Sequence, residues 1–188
     1  RRSALETPLR DVLDREFGGF ALEAAGAAPR HDPVPVRATL VEDAAHGSEF
    51  TTLRAHVTAV RLRRDWLRAD GPVTITVGGS IPAGRAAEWQ AGRSIETFAT
   101  FRRPARYLND GVPDFERQLA LDGTTLFGSV KSGLLVELVG KGGAVEEAAA
   151  RVRRHVRRSI ERWVAPHDAV SAAVVTAVNR LSVIDLKT

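Results

Sequence analysis

The sequence predicts a mainly β fold with flanking helices, an α+β arrangement. Three observations predict it. Six short runs between residues 35 and 139 read as strands, most of them alternating apolar with polar residues. A helical run precedes them, and one short helix interrupts them. From residue 144 the apolar period returns to 3.6. Three parts follow: an N-terminal helix and linker over 1–32, a β domain over 33–142, and C-terminal amphipathic helices over 143–188.

The first helix starts where Thr7 can cap and Pro8 can occupy the first helical position. Leu9, Leu13 and Phe17 fall four apart on one face, and Gly18-Gly19 stops the run. Residues 21–35 are rich in Ala, Gly and Pro and read as a linker. The period then changes to two. Val36, Ala38 and Leu40 alternate with Arg37, Thr39 and Val41. After an acidic, glycine-bearing turn over 42–49, Leu53, Ala55, Val57 and Ala59 alternate with Arg54, His56 and Thr58. A charged tip leads to Val73, Ile75 and Val77, which alternate with Thr74 and Thr76. Gly78-Gly79 and Pro82 break that strand, and residues 86–90 suit a helical turn. Residues 95–101, 125–130 and 134–139 complete the series. A short helix over 114–121 lies between the fourth and fifth strands, capped by Asp114 and ended by Gly123, with Phe115 and Leu119 on one face.

Alternation means that one face of each strand is buried and the other wet. Short, twisted strands with one interrupting helix predict a small closed or partly open barrel. The oligonucleotide/oligosaccharide-binding (OB) barrel is the commonest such answer, and a β-sandwich is the competitor. Beyond it, Val145, Ala148, Ala149, Val152, Val156, Ile160, Trp163 and Val164 make an apolar stripe. Arg151, Arg153, Arg154, Arg157, Arg158 and Arg162 cover much of the rest, so 144–163 reads as a basic amphipathic helix suited to a membrane surface. Pro166 ends it. Residues 169–178 are nearly all apolar but too few to span a bilayer.

Composition removes several chemistries. The 188 residues include no Cys, which excludes disulfides, thiolate zinc sites and a cysteine nucleophile. They include no Met, and the chain opens Arg1-Arg2, so it reads as a piece of a longer protein. His31, His46, His56, His155 and His167 show no metal-pair spacing, and no Gly-x-Ser-x-Gly elbow occurs. Gly140-Lys141-Gly142-Gly143 lacks a phosphate-loop pattern and reads as a linker. The carboxylates Glu146-Glu147 fall in the first turn of a helix, where they complement its dipole. No catalytic constellation, metal site or cofactor is expected, and the chain reads as a non-enzyme.

Charge is more informative. Lys+Arg number 27 against 23 Asp+Glu, a net of +4, and only Lys131, Lys141 and Lys187 are lysines. Arg-rich composition fits phosphate binding, because guanidinium forks onto phosphate with two donors. A GC-rich genome, which favours Arg and Ala codons throughout, is the better reading of composition alone, because counts do not make a patch. Within the β region the arginines segregate. Arg54, Arg61, Arg63, Arg64 and Arg68 lie along one strand and its tip, with Trp66 among them. Arg93, Arg102, Arg103 and Arg106 lie along another, with Tyr107 adjacent. Arginine interleaved with aromatic rings is what a nucleic-acid groove needs. A solvated strand face, with Trp66 closing the barrel end, is the plainer reading of the same residues.

The run from residue 88 to 137 resembles the N-terminal soluble domain of the ComEC family, competence proteins that form the inner-membrane channel for DNA uptake. The matching features are Gly92-Arg93, then Arg102-Arg103-Pro104 closing a strand. The loop Asn109-Asp110-Gly111-Val112-Pro113-Asp114 follows, then the short helix opening Phe115-Glu116-Arg117 and the step Gly123-Thr124. A basic helix followed by an apolar one also matches the family's passage into its membrane region. The resemblance implies an OB-like fold, a position on the extracytoplasmic side of the cell membrane, and service to DNA translocation beside the channel's own transmembrane domain. It implies no nuclease activity for this chain, because the family's nuclease lies in a separate C-terminal domain. The chain departs from the family at residues 179–188, where Leu-x-x-Gly-Asp-Arg and membrane spans would be usual.

Two functions follow. Either the arginine-rich face binds or guides DNA, single-stranded DNA included, or the domain is a structural module whose basic helix lies on the membrane and organises the channel entrance. A soluble enzyme has least support, since no nucleophile, base or metal cluster is present.

Overall fold

The structure, a computed structural model, describes residues 6–17, 32–47, 49–79, 81, 84–104 and 115–163. It divides into two units, Arg1–Gly143 and Ala144–Thr188. The first is mainly β with a few helices, as the sequence predicts at the level of class.

Helix α1 spans Pro8–Phe17. The Thr7 hydroxyl accepts from the Arg10 amide at 3.4 Å, so the expected cap is made. Leu9 and Leu13 are fully buried in the core of the β region, against which α1 packs through strand β4. Close approach is possible because Gly71 of that strand has no side chain. A Cβ there would stand 2.9 Å from the Leu9 Cβ.

The strands are β1 (Val34–Leu40), β2 (Ala45–His46), β3 (Thr51–Leu62), β4 (Asp65–Val77), β5 (Ser94–Arg102), β6 (Leu126–Val130) and β7 (Val136–Gly140). β1 pairs with β3, β3 with β4, β4 with β6, β6 with β5, and β5 with β1. Five strands therefore form a closed ring. All of these pairings are antiparallel except β4–β6, which is parallel. β7 extends β5 beyond the end of β6, and the two-residue β2 adds to β3. The interior is filled by the alternating apolar residues, among them Val36, Leu40, Leu53, Val57, Ile75, Ile95, Phe101 and Leu126. Trp89, which follows a 3-10 turn at Ala86–Glu88, is 1% exposed and among the largest side chains in this core.

The structure differs from the sequence reading in four places, each with a physical reason. Residues 61–72 are not a charged tip. The strands run on as a long hairpin that turns at Arg63-Arg64, with Leu62 opposite Asp65. Their charges sit on the wet face, while Val60 and Ala69 are buried. Second, the register slips by one residue between Val57 and Ala59. Side chains have a period of two, so the slip turns Ala59 outward and Val60 inward. Third, the run 134–139 begins as a 3-10 turn, Gly133–Leu135, and becomes β7 only at Val136. Fourth, helix α2 (Phe115–Leu121) buries Glu116 and Ala120, whereas Phe115 and Leu121 are exposed. Glu116 is buried because it meets Arg10 of α1 at 2.9 Å.

In the second unit, helix α3 spans Ala144–Trp163. Twenty residues make a rod of about 30 Å.

Candidate nucleic-acid interface

The register slip in β3 assembles the site. Before it, even-numbered residues face out; after it, Ala59 and Arg61 do. Arg61 lies directly opposite Trp66 of β4, and Ala59 lies between Arg37 of β1 and Arg68 of β4. Five residues from three neighbouring strands thus share one outer face. The Arg37 guanidinium carbon lies 4.2 Å from the centre of the Trp66 ring, and that of Arg61 lies 5.5 Å from it. Both fall within reach of the negative face of an indole. Arg37 is held further by Glu96 of β5, Nε to Oε2 at 3.0 Å.

Arg64 and Arg68 are exposed, with no carboxylate partner among the described residues. Arg63 occupies the hairpin turn with φ 58, a left-handed conformation, and its exposed guanidinium lies 3.4 Å from Glu16. Acidic groups border the patch: Asp65 at the turn, and Glu96 opposite Glu137 on β5 and β7. Further along β3 and β4, His56 and Asp70 pair at 2.8 Å.

The other arginines singled out in the sequence serve different ends. Arg54 donates to Glu42 at 2.7 Å and to the Asp122 carbonyl. It therefore ties the loop after β1 to the loop before β6. The Arg93 guanidinium donates to the Glu88 carbonyl at 3.0 Å. Arg103 pairs with Asp14 of α1, a contact that fixes the helix rather than a ligand. Arg102 is exposed, its guanidinium 4.9 Å from the centre of the Phe127 ring on β6. Arg102, Phe127, Thr74 and Arg54 follow one another across β5, β6, β4 and β3. Thr74 is eight residues from Trp66, about 26 Å along the strand. The sequence grouped these arginines by strand; the ring regroups them into two rows. Arg106 and Tyr107 lie outside the described residues.

Sequence reasoning missed Arg37 as a site residue. The signal was present, since Arg37 stands on the polar face of an alternating run. Its partner Trp66 lies 29 positions on, and only the β1–β3–β4 pairing joins them.

On α3, Arg151 and Arg162 are exposed, and Val152 and Val156 are 63% and 37% exposed. Arg153, Arg154, Arg157, Arg158 and Trp163 belong to the same helix. No described helix is long and apolar enough to cross a membrane. No group of three His, Cys, Asp or Glu residues suited to a metal occurs among the described residues.

No family model, curated protein or solved structure matches this chain.

Proposed function

We propose that this chain is an OB-like extracytoplasmic domain of a membrane DNA-uptake channel, and that its outer β1–β3–β4 face guides incoming DNA through phosphate contacts. One observation carries the reading: Arg37 and Arg61 lie over the Trp66 ring and Arg68 shares their outer face from β4, with Arg64 at the adjoining turn. The OB part is supported by connectivity. Taking the five ring strands in chain order, their neighbours run first, second, third, fifth, fourth and back to the first. A five-stranded Greek-key ring is the OB arrangement, and its second and third strands form the usual oligonucleotide face. Here those are β3 and β4, which carry Arg61, Trp66 and Arg68. The channel context rests on the resemblance of residues 88–137 to ComEC domains.

The test is charge reversal. The Arg61→Glu/Arg64→Glu/Arg68→Glu variant, examined by fluorescence anisotropy with labelled DNA at low salt, should lose at least about 10-fold in affinity. Unchanged binding would remove this face from the proposal.

Exposed Val152 and Val156 beside arginines favour a second role, in which α3 lies among anionic lipid headgroups. Val152→Asp/Val156→Asp should abolish flotation of the full chain with anionic liposomes. Failure of the unaltered chain to float would exclude that role.

A further inference from the structure

We infer that the Trp66 face takes the sugar–phosphate backbone and not the bases, with Trp66 acting as a pedestal that orients two guanidinium groups. The inference rests on the DNA-binding reading above and specifies what that site recognises.

An aromatic side chain binds a nucleobase by offering it an open ring face. At Trp66 a ring face is already covered. Arg37 lies 4.2 Å from the ring centre, and Arg61 lies 5.5 Å from it. Arg37 is not a loosely placed side chain. Arg37 is fixed through Nε by Glu96 at 3.0 Å, and its carbonyl accepts from the Thr58 hydroxyl at 3.3 Å. Arg61 stands directly opposite Trp66 across β3 and β4. A base stacking on the face that Arg37 occupies would have to displace a guanidinium with a second partner on β5.

A guanidinium stacked on a ring spends its π face there and keeps its N–H donors at the edge of its plane. Arg37 commits Nε to Glu96, which leaves its two terminal nitrogens. Arg61 retains its whole fork. The two groups over the ring therefore keep N–H donors available, which phosphate oxygens accept. Arg68, across Ala59 from Arg37, extends the row on β4. Apart from Ala59, every group in the row is a cation or has one over it, so no hydrogen-bonding pattern here distinguishes one base from another. Single strands and duplexes, which share the phosphate, both qualify as ligands.

Trp66 is on this account a positioning residue. Its loss should weaken all backbone ligands alike, whereas loss of a stacking platform would weaken only ligands that carry bases. The experiment compares two single-stranded 20-nucleotide probes of equal charge, one with bases and one abasic throughout, by anisotropy with the full chain at low salt. The expected result is affinities within about 2-fold of each other. Trp66→Leu and Arg37→Gln should weaken both probes by similar factors, about 2- to 5-fold for an exposed cation–π contact. Trp66→Phe should restore part of the loss. Where Trp66→Leu fails to fold, Arg37→Gln carries the comparison alone. Abasic binding 10-fold or more weaker than base-carrying binding would overturn the inference while leaving DNA binding intact. Absence of binding to either probe would overturn the underlying reading and this inference with it.

Discussion

The pair Arg10–Glu116 offers the most demanding test of how this fold is held. It joins α1 to α2 across 106 residues, Nη2 to Oε1 at 2.9 Å, with side chains only 10% and 5% exposed. Two charges taken out of water recover their desolvation cost only through each other. Here the recovery is incomplete, because Arg10 Nη1 is buried without a partner. Replacing Glu116 by Leu leaves a lone buried guanidinium, and replacing Arg10 by Leu leaves a lone buried carboxylate. Each change should cost about 3–5 kcal/mol. The double variant leaves neither charge and should be close to neutral, within about 1 kcal/mol of the unaltered chain. Urea unfolding followed by far-UV circular dichroism reads all four corners of the cycle. With a slope of about 2 kcal/mol/M, a loss of 4 kcal/mol moves the midpoint down by about 2 M. Single variants costing under about 1 kcal/mol, the value of an exposed pair, would refute the burial argument. So would a double variant that costs the sum of the singles.

Three further outcomes are expected. Gly71→Ala sets a methyl 2.9 Å from Leu9 Cβ and 3.1 Å from Thr7 Oγ1. It should cost about 1–3 kcal/mol by pushing α1 off β4, measured by the same urea titration. Arg63→Asn places a residue that tolerates φ 58 in the hairpin turn. It should leave stability unchanged or raise it by up to about 1 kcal/mol, read from the unfolding midpoint. Arg54→Ala removes the donor shared by Glu42 and the Asp122 carbonyl and should cost about 1–2 kcal/mol. Faster amide exchange at residues 41–44 and 121–124 should accompany that loss.

Period-two alternation was enough to read the class and most strands. Val36, Ala38 and Leu40, or Val73, Ile75 and Val77, admit one reading, because each run needs a single buried face. The Thr7-Pro8 cap was equally legible, since local hydrogen bonding decides it. Residues 61–72 were not. Their charges mimic a loop, and only the cross-strand pairing shows that those charges point into water while Val60 and Ala69 point inward. The slip at Val57/Ala59 leaves no mark in composition, yet it sets the face on which Arg61 emerges. Glu116 was hidden for a related reason. A buried carboxylate cannot be inferred without its partner, and Arg10 lies in an element that the sequence divides from the β domain by a linker. The site was legible as residues but not as an arrangement. Arg61, Trp66 and Arg68 stand close in sequence, whereas Arg37, which lies nearest the indole, comes from another strand. Arg54, Arg93 and Arg103 share the composition of the patch but point their donors at Glu42, the Glu88 carbonyl and Asp14.

The salt dependence of DNA binding tests the central claim most directly. Each phosphate contact releases counterions, so log Kobs falls against log salt by about 0.7 per contact for single strands and about 0.9 for duplexes. Arg37, Arg61, Arg64 and Arg68 offer three or four contacts. The unaltered chain, titrated by anisotropy from about 20 to 200 mM salt, should give a slope of about −2 to −3 on a single strand. A slope near zero, or no binding at the lowest salt, would contradict a phosphate-guiding face.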